Sequence, residues 1–351
     1  MRPDRAPVPG LQVVILGSSG FLGRGLGAAF AARGARVHGV SRGGPPPGAG
    51  PPSGRTTTAT YLDLLTAASG ELRAAFSAAR PDVVVNAAGR AWRADEAEMN
   101  AGNAVLVERV VTALAELPGP PVRLVQLGSV HEYGAGDPAG GTGERHDPDP
   151  VTPYGRTKLL GTRAVLRGAR EGSVEGVVLR LANVIGAGVP EGSLFGRVAA
   201  HLGASAAARA RGEQVTALRL PPLRAARDLV DARDVADAVV AAASAPSAAV
   251  TGQVINVGRG EAVVMRALID RMIALSGVDV PVTEAAEAPA RTDVARQCLD
   301  ISRARRLLGW SPSRGLDDSL RDLLASVLPP ERPSHSTPLG ITAASPAGEG
   351  N

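Results

Sequence analysis

The sequence predicts an α/β fold: a doubly wound parallel sheet with helices on both faces and a smaller region on its C-terminal side. Three observations carry that prediction. Over the first 186 residues, short apolar runs alternate with segments of helical length, the pattern of β-α-β units. Runs such as 13–16 and 83–85 are continuously apolar rather than alternating, which marks strands buried on both faces. A glycine-rich turn, Gly17-Ser-Ser-Gly20-Phe-Leu-Gly23, joins the first run to the first helix. No repeat of solenoid length interrupts the alternation.

In chain order, residues 11–16 form the first strand and 21–33 the first helix, with Gly34 as its C-cap. Residues 36–41 form the second strand. The stretch 43–54 is rich in Pro and Gly and must be loop. Residues 58–62 make a weak third strand, 69–79 a helix and 81–87 a fourth strand. One long helix is expected over 94–117 and a fifth strand over 122–129. Residues 134–150 are polar and turn-rich. A helix follows at 153–171 and a sixth strand at 176–182. Beyond residue 187 the alternation weakens. Residues 194–210 and 262–276 read as helices, with short strands near 215–218 and 254–257. The predicted organisation is an N-terminal extension (1–10), a sheet domain (11–186), a second region (187–328) and a disordered tail (329–351) rich in Pro, Ser and Gly. Late segments of the second region, about 227–260, are expected to return to the sheet domain.

The chain has 351 residues, enough for one large domain or two joined ones. Hydrophobic residues at 44% and charged residues at 21% exclude wholesale disorder. A single cysteine, Cys298, excludes an internal disulfide and a cysteine-built metal site. A reducing, cytoplasmic location and no metal are the expectation. The N-terminus lacks the apolar core of a signal peptide, and no early run is long enough for a bilayer, so no membrane association is expected. Net charge is only +4, without a long basic block, and aromatics are 3%. Stacking platforms for single-stranded nucleic acid need more, so no nucleic-acid partner is expected.

Basic residues are unevenly divided. Of 38, one is lysine, Lys158, and 37 are arginine. Tyrosine occurs three times, at 61, 133 and 154, and asparagine six times. Abundant Ala, Gly, Pro and Arg with scarce Lys, Asn and Tyr is the bias of a GC-rich coding sequence. A lysine or tyrosine that survives such bias stands where its substitute fails.

The glycine turn lies between a buried strand and a helix. Its tight bend needs a residue tolerant of positive φ, and a pyrophosphate needs a close backbone with free helix N-terminal amides. The loop therefore reads as a Rossmann-like dinucleotide site formed by Gly17, Ser19, Gly20, Phe21, Leu22 and Gly23. The second strand ends in Ser41-Arg42, where a carboxylate would hold a ribose 2′-hydroxyl. A guanidinium pairs with a 2′-phosphate and an acid repels it. NADP(H) is thus the expected cofactor, with NAD(H) as the alternative. Asp63, followed by Leu64, is placed either to accept from an adenine amino group or as a solvated loop residue.

Tyr154 and Lys158 stand at i and i+4 on one helical face. Ser129 closes the fifth strand, at the sheet end where α/β folds bind ligands. Together they make a carbonyl-reduction site. The serine hydroxyl polarises the carbonyl, the tyrosine gives or takes the proton, and the ammonium is expected to lower the tyrosine pKa from about 10 toward neutrality. Lysine suits the place as a compact point charge, where arginine is planar and bulky.

With these residues the chain resembles the extended short-chain dehydrogenase/reductases, the NAD-dependent epimerase/dehydratase group, over about residues 11–326. The glycine loop matches the group's dinucleotide loop, and Asn86-Ala87-Ala88-Gly89 its fourth-strand motif, which implies cofactor contacts at 87–89. Ser129 with Tyr133-Gly134 matches the serine segment, and Tyr154 with Lys158 the catalytic pair. Further matches are Arg180-Leu-Ala-Asn183-Val, Arg227-Asp-Leu-Val-Asp-Ala-Arg-Asp234-Val-Ala, Asn256-Val-Gly258 and Leu308-Gly-Trp310-x-Pro312. The resemblance implies a nucleoside-diphosphate sugar as substrate. It also implies a diphosphate clamp of Arg227 and Arg291, Asn183 at the sugar-side phosphate, and a homodimer through helices 94–117 and 153–171. His131 either lines the sugar pocket or simply packs. Trp92 either stacks on sugar or base or belongs to the core.

Departures from the group narrow the expected chemistry. Its 4,6-dehydratases carry Asp-Glu directly after the catalytic Ser or Thr, and here those positions are Val130 and His131, with Glu132 one place late. Its 3,5-epimerase/reductases use a cysteine beside the serine, and Cys298 is far away. Its 4-epimerases hold NAD through a second-strand acid that this chain lacks. What remains is NADPH-dependent reduction of the 4-keto group of an NDP-4-keto-6-deoxyhexose, with TDP as the expected nucleotide. The run 126–134 is similar to the 4-ketoreductases of actinomycete deoxysugar pathways. The alternatives are an NDP-sugar 4-epimerase with bound NAD and a non-catalytic NAD(P)-sensing regulator. Such regulators usually lose the Tyr/Lys pair.

Overall fold

The computed structural model describes residues 8–43, 57–91, 94–286 and 294–328. Trp92, Arg291, most of the 43–54 loop and the 329–351 tail lie outside the described residues. Strands β1 (Gln12–Leu16), β2 (Arg36–Ser41), β3 (Thr57–Tyr61), β4 (Val83–Asn86), β5 (Arg123–Ser129) and β6 (Glu175–Leu181) join the later strand Val254–Val257 in one seven-stranded sheet. Its order is β3-β2-β1-β4-β5-β6 and then Val254–Val257, with every neighbouring pair parallel. The chain runs outward from β1 to β3, then returns to β4 on the other side of β1. That reversal opens a crevice at the carboxyl ends of β1 and β4.

Helices α1 (Phe21–Ala31), α2 (Ser69–Ala79), α3 (Glu96–Asn100), α4 (Leu106–Ala115) and α5 (Pro153–Arg170) supply the covering layers, together with the later helix Ala232–Ser244. Val13 and Ile15 of β1 pack in one apolar layer with Leu26 and Phe30 of α1 and with Val235 and Val239. Val14 and Leu16 pack in the other with Leu72 and Phe76 of α2 and with Val107 and Val110 of α4. Successive strand residues face opposite layers, and both layers are apolar, so the run reads as continuous.

A third apolar cluster comes from residues 185–324, among them Phe195, Leu202, Leu229, Met272 and Leu323. Helices Leu194–Ala210, Met265–Ser276 and Leu316–Ala325 build it around a small sheet. In that sheet Ala226–Asp231 pairs with Asn183–Ile185 and Arg296–Gln297 in parallel and with Ala262–Val264 antiparallel. Segment 227–260 therefore divides. Its first strand stays in the small sheet, helix Ala232–Ser244 packs beside α1, and Val254–Val257 joins the main sheet next to β6.

The expected helix 94–117 is broken into α3, a π-helical turn at Ala101–Val105 and α4. The buried Asn103 side chain takes its partners outside the helix. It accepts from Arg90 N at 2.9 Å and donates to Arg90 O at 2.8 Å and Thr157 Oγ1 at 3.1 Å. The wide turn also meets α5 closely: a Cβ on Gly161 would stand 2.3 Å from Asn103 O. Residues 262–264 form a strand instead of a first helical turn, because the β-branched pair Val263-Val264 finds an edge at Ala226–Asp231. The strand expected near 215–218 lies at Leu218–Leu220, in register with Val282–Glu284. Among the described residues, no helix is long and apolar enough to cross a membrane.

Candidate active site

A cavity of about 210 Å³ opens at the carboxyl ends of β1, β2 and β4. Gly17, Ser19, Gly20, Ser41, Arg42, Asp63, Leu64, Ala87, Ala88 and Gly89 line it, joined by Leu65, Arg90 and Leu106, which the sequence reading missed. Gly17 has φ +77°, and a Cβ there would lie 2.9 Å from Ala88 N and Cα, so the loop rests directly on the 87–88 backbone. Gly23 serves the turn rather than the cavity, since its Cβ would meet Gly17 O at 2.1 Å. Phe21 and Leu22 do not line the cavity, and Leu22 packs on the core. Gly20 is the N-cap of α1 with no side-chain cap, and the first turn carries no acid. These features fit a dinucleotide: a glycine cradle with no room for side chains, leading to helix amides that favour an anion.

The cavity wall is held from behind. Asn86 is fully buried, accepting from Ala88 N at 3.2 Å and donating to Gln126 Oε1 at 2.8 Å. Asn103 fixes both backbone groups of Arg90. Ser41 spends its hydroxyl on Gly43 O at 3.0 Å, whereas Arg42 is exposed at the rim. Asp63 accepts from Leu65 N at 3.0 Å, closing its own turn. A larger concavity, about 620 Å³, lies at the amino ends of β1–β3 beside Gln12, Arg36 and Thr58. Parallel α/β sheets bind ligands at the carboxyl ends, so the smaller cavity is the candidate.

Ser129 ends β5, buried, and caps the short 3₁₀ turn Val130–Glu132 by accepting from His131 N at 3.3 Å. Its hydroxyl lies close enough to the Tyr154 phenol to pull the phenol pKa down. Tyr154 sits in the first turn of α5, which starts at Pro153 under an N-cap in which Thr152 accepts from Gly155 N at 3.1 Å. Gly155 permits this approach, since a Cβ there would stand 2.3 Å from His131 O. The His131 ring packs edge-on against Tyr154, with centroids 5.7 Å apart and planes at 72°. Lys158 is buried one turn later and donates from Nζ to Leu127 O at 2.5 Å.

The electrostatics correct one expectation. Burial pushes the Tyr154 phenol up to about 12, helped by the negative charge of Glu132, while the Ser129 hydroxyl pulls it down. Burial also lowers the Lys158 pKa, and Glu132 opposes that. The tyrosine pKa is raised rather than lowered toward neutrality, because desolvation outweighs the pull of Ser129, and the ammonium is engaged with a backbone carbonyl.

Val130 is buried and apolar, so neither position after Ser129 carries an acid. Glu132, at 0% exposure, turns inward beneath Ser129. It accepts from Ser129 N, Thr162 Oγ1 and Arg180 Nε, each at 2.8 Å. Arg180 lies 4.4 Å over the Tyr133 ring, whose hydroxyl donates to Asn256 at 2.8 Å. Sequence reasoning missed this buried network as a unit; the Ser-x-x-Glu capping-box spacing of 129–132 was its available signal.

Arg227 is half-buried and donates to Val294 O at 2.6 Å and Ala226 O at 3.0 Å. Asn183 donates to Asp228 O at 3.1 Å, stitching two strands of the small sheet. The Asp228 side chain accepts from Arg259 N, Gly260 N and Leu299 N, and burial lifts its pKa to about 6. Among the described residues, no group of His, Cys, Asp and Glu could hold a metal ion.

Residues 13–258 match the model of the NAD dependent epimerase/dehydratase family. A Kitasatospora kifunensis protein named dTDP-6-deoxy-L-talose 4-dehydrogenase (NAD(P)(+)) is 44% identical over 324 residues, 92% of this chain and 96% of that one. A Streptomyces griseus protein named dTDP-4-dehydrorhamnose reductase is 32% identical over 190 residues, 53% and 54% of the two chains. The structure of a Thermotoga maritima UDP-glucose 4-epimerase with UDP-glucose aligns at a TM-score of 0.75 and 21% identity, over 90% of this chain and 97% of that one. That likeness concerns the fold.

Proposed function

The chain belongs to the NAD dependent epimerase/dehydratase family, an oxidoreductase and epimerase family of enzymes, and on that premise we propose that it reduces the C4 carbonyl of a dTDP-4-keto-6-deoxyhexose with NADPH. The observation that carries the reading is the placement of the Tyr154 phenol, in the first turn of α5, beside the Ser129 hydroxyl at the end of β5, with the phenol held as an acid and no carboxylate at 130 or 131. Reducing a ketone needs a donor on the carbonyl oxygen and a proton for the alkoxide that forms. Ser129 supplies the first and Tyr154 the second. Lys158 anchors α5 to β5 through Leu127 O and so keeps Tyr154 beside Ser129. The bound dinucleotide would supply the hydride. Gly17, Ser19 and Gly20 would hold its pyrophosphate at the amino end of α1, and Ala87, Ala88 and Gly89 would floor its site. Arg42 would pair with the 2′-phosphate. Arg227, with Arg291, would hold the sugar's diphosphate, and Asn183 would lie at the sugar-side phosphate.

Elimination of water would need an acid–base pair after Ser129, and Val130 and His131 do not provide one. The names of the relatives support a reaction at C4, because dehydrogenation of a C4 alcohol and reduction of a C4 ketone are one hydride transfer written in two directions. A cofactor selected through its 2′-phosphate comes from the reducing pool, which favours the reductive direction. With deuterium on the transferred position of NADPH, label is expected at C4 of the product, one equivalent per turnover. Label at another carbon, or conversion of the dTDP-sugar with no NADPH consumed, would overturn the reading.

A further inference from the structure

Glu132 is the most buried acid near the site, and the chemistry assigned to Ser129, Tyr154 and Lys158 does not use it. Its carboxylate meets three donors from three elements: Ser129 N at the end of β5, Thr162 Oγ1 on α5 and Arg180 Nε on β6. Oε1 serves Ser129, and Oε2 serves Thr162 and Arg180. An amide has only one accepting oxygen and adds two donors, so it cannot satisfy the set. The space is tight as well, for a Cβ on Gly128 would lie 2.6 Å from Glu132 Oε1. Arg180 is 4% exposed at its side chain and sandwiched between the carboxylate and the Tyr133 ring.

We propose that Glu132 is a positioning residue: it locks the carboxyl end of β5 to α5 and β6, so that the Ser129 hydroxyl stays against the Tyr154 phenol. Ser129 comes from a strand end and Tyr154 from the first turn of a helix. Their contact depends on how those elements are set against each other, and the carboxylate grips both, through Ser129 N and Thr162. The same negative charge favours the protonated phenol. The proposal rests on the reading of Ser129 and Tyr154 as the reacting pair.

The test uses the full chain and the variants Glu132→Gln and Glu132→Asp. Tyr154 ionisation is followed by tyrosinate absorbance, each protein being read against its Tyr154→Phe counterpart so that Tyr61 and Tyr133 cancel. Thermal melting reports the fold. In Glu132→Gln the Tyr154 titration should move down by about one pH unit, and kcat should fall on the order of tenfold with KM for the nucleotide sugar unchanged. Glu132→Asp keeps the charge but is too short to reach Ser129 N. Its titration should stay near that of the unaltered protein while kcat falls. A lower melting temperature with titration and kcat unchanged in Glu132→Gln would make the residue merely structural and overturn the proposal. If Glu132→Gln does not fold, unchanged kcat in Glu132→Asp does the same. The titrations need no substrate, so failure of the unaltered protein to reduce any keto-sugar would count against the proposed function and leave the Glu132 result readable.

Discussion

A phenol that ionises near pH 12 stays protonated across the neutral range, which is the state an acid catalyst for alkoxide formation requires. Because the folded value lies above the ordinary 10.0, Tyr154 favours folding fully below pH 10, and that contribution is lost as pH rises through about 12. The reaction follows the same sign. In kcat/KM, which reports the free protein, ketone reduction should hold its plateau through pH 10 and decline only toward 12. A limb near neutrality in the pH–rate profile would contradict the assignment. Tyr154→Phe should cost roughly 10²–10⁴ in turnover, and Lys158→Arg should also be severe, since a planar guanidinium does not fit the buried approach to Leu127 O. In the sequence these two residues stand out by rarity and by their i,i+4 spacing, one lysine beside 37 arginines and one of three tyrosines. The direction of the tyrosine shift was not legible there, because it depends on Gly155 letting α5 pack against the 130–132 turn, a contact between segments.

The break in the helix between β4 and β5 shows how an element can be read correctly in kind and wrongly in shape. Residues 94–117 keep a helical apolar stripe throughout, and nothing local marks the π-turn at Ala101–Val105. Its partner is Arg90, thirteen residues earlier, in the loop that lines the cofactor cavity. Strands β1 and β4 were legible for the opposite reason: burial on both faces writes itself into a continuous apolar run. The short strand Ala262–Val264 was hidden because its pairing edge lies more than thirty residues upstream. If Asn103 ties the π-turn to the cavity wall, Asn103→Ala strips Arg90 N and O of their partners. These groups are part-buried, so each left without a partner costs up to about 1–3 kcal/mol. Denaturant melts should show that loss, and NADPH affinity should weaken alongside it. Lost stability with unchanged NADPH affinity would separate the turn from the site.

At the scale of the whole molecule, the cavity draws on the loop after β1, the end of β2, the turn after β3 and the end of β4. These segments meet only in the folded sheet, whose parallel, helix-covered character was legible from the strand–helix alternation. The small sheet around Ala226–Asp231 was not, because strands of two to six residues leave little pattern. A ligand bound at such a composite site stabilises the folded chain by RT ln(1 + [L]/Kd), about 2.7 kcal/mol at a hundredfold excess over Kd. For a chain of 351 residues that is a rise of a few degrees in melting temperature, on the order of 1–2 °C per kcal/mol. Arg42, exposed at the rim, faces no acid on β2 that would repel a 2′-phosphate. One charge-assisted contact is worth about 1.5–3 kcal/mol, or roughly ten- to 150-fold in Kd. NADPH should therefore raise the melting temperature more than NADH at equal concentration. Arg42→Ala should bring the NADPH shift down to the NADH shift and leave the latter unchanged. Equal shifts in the unaltered protein, or a variant that loses both alike, would mean that the 2′-phosphate is not read at this position and would remove the argument for a reductive direction.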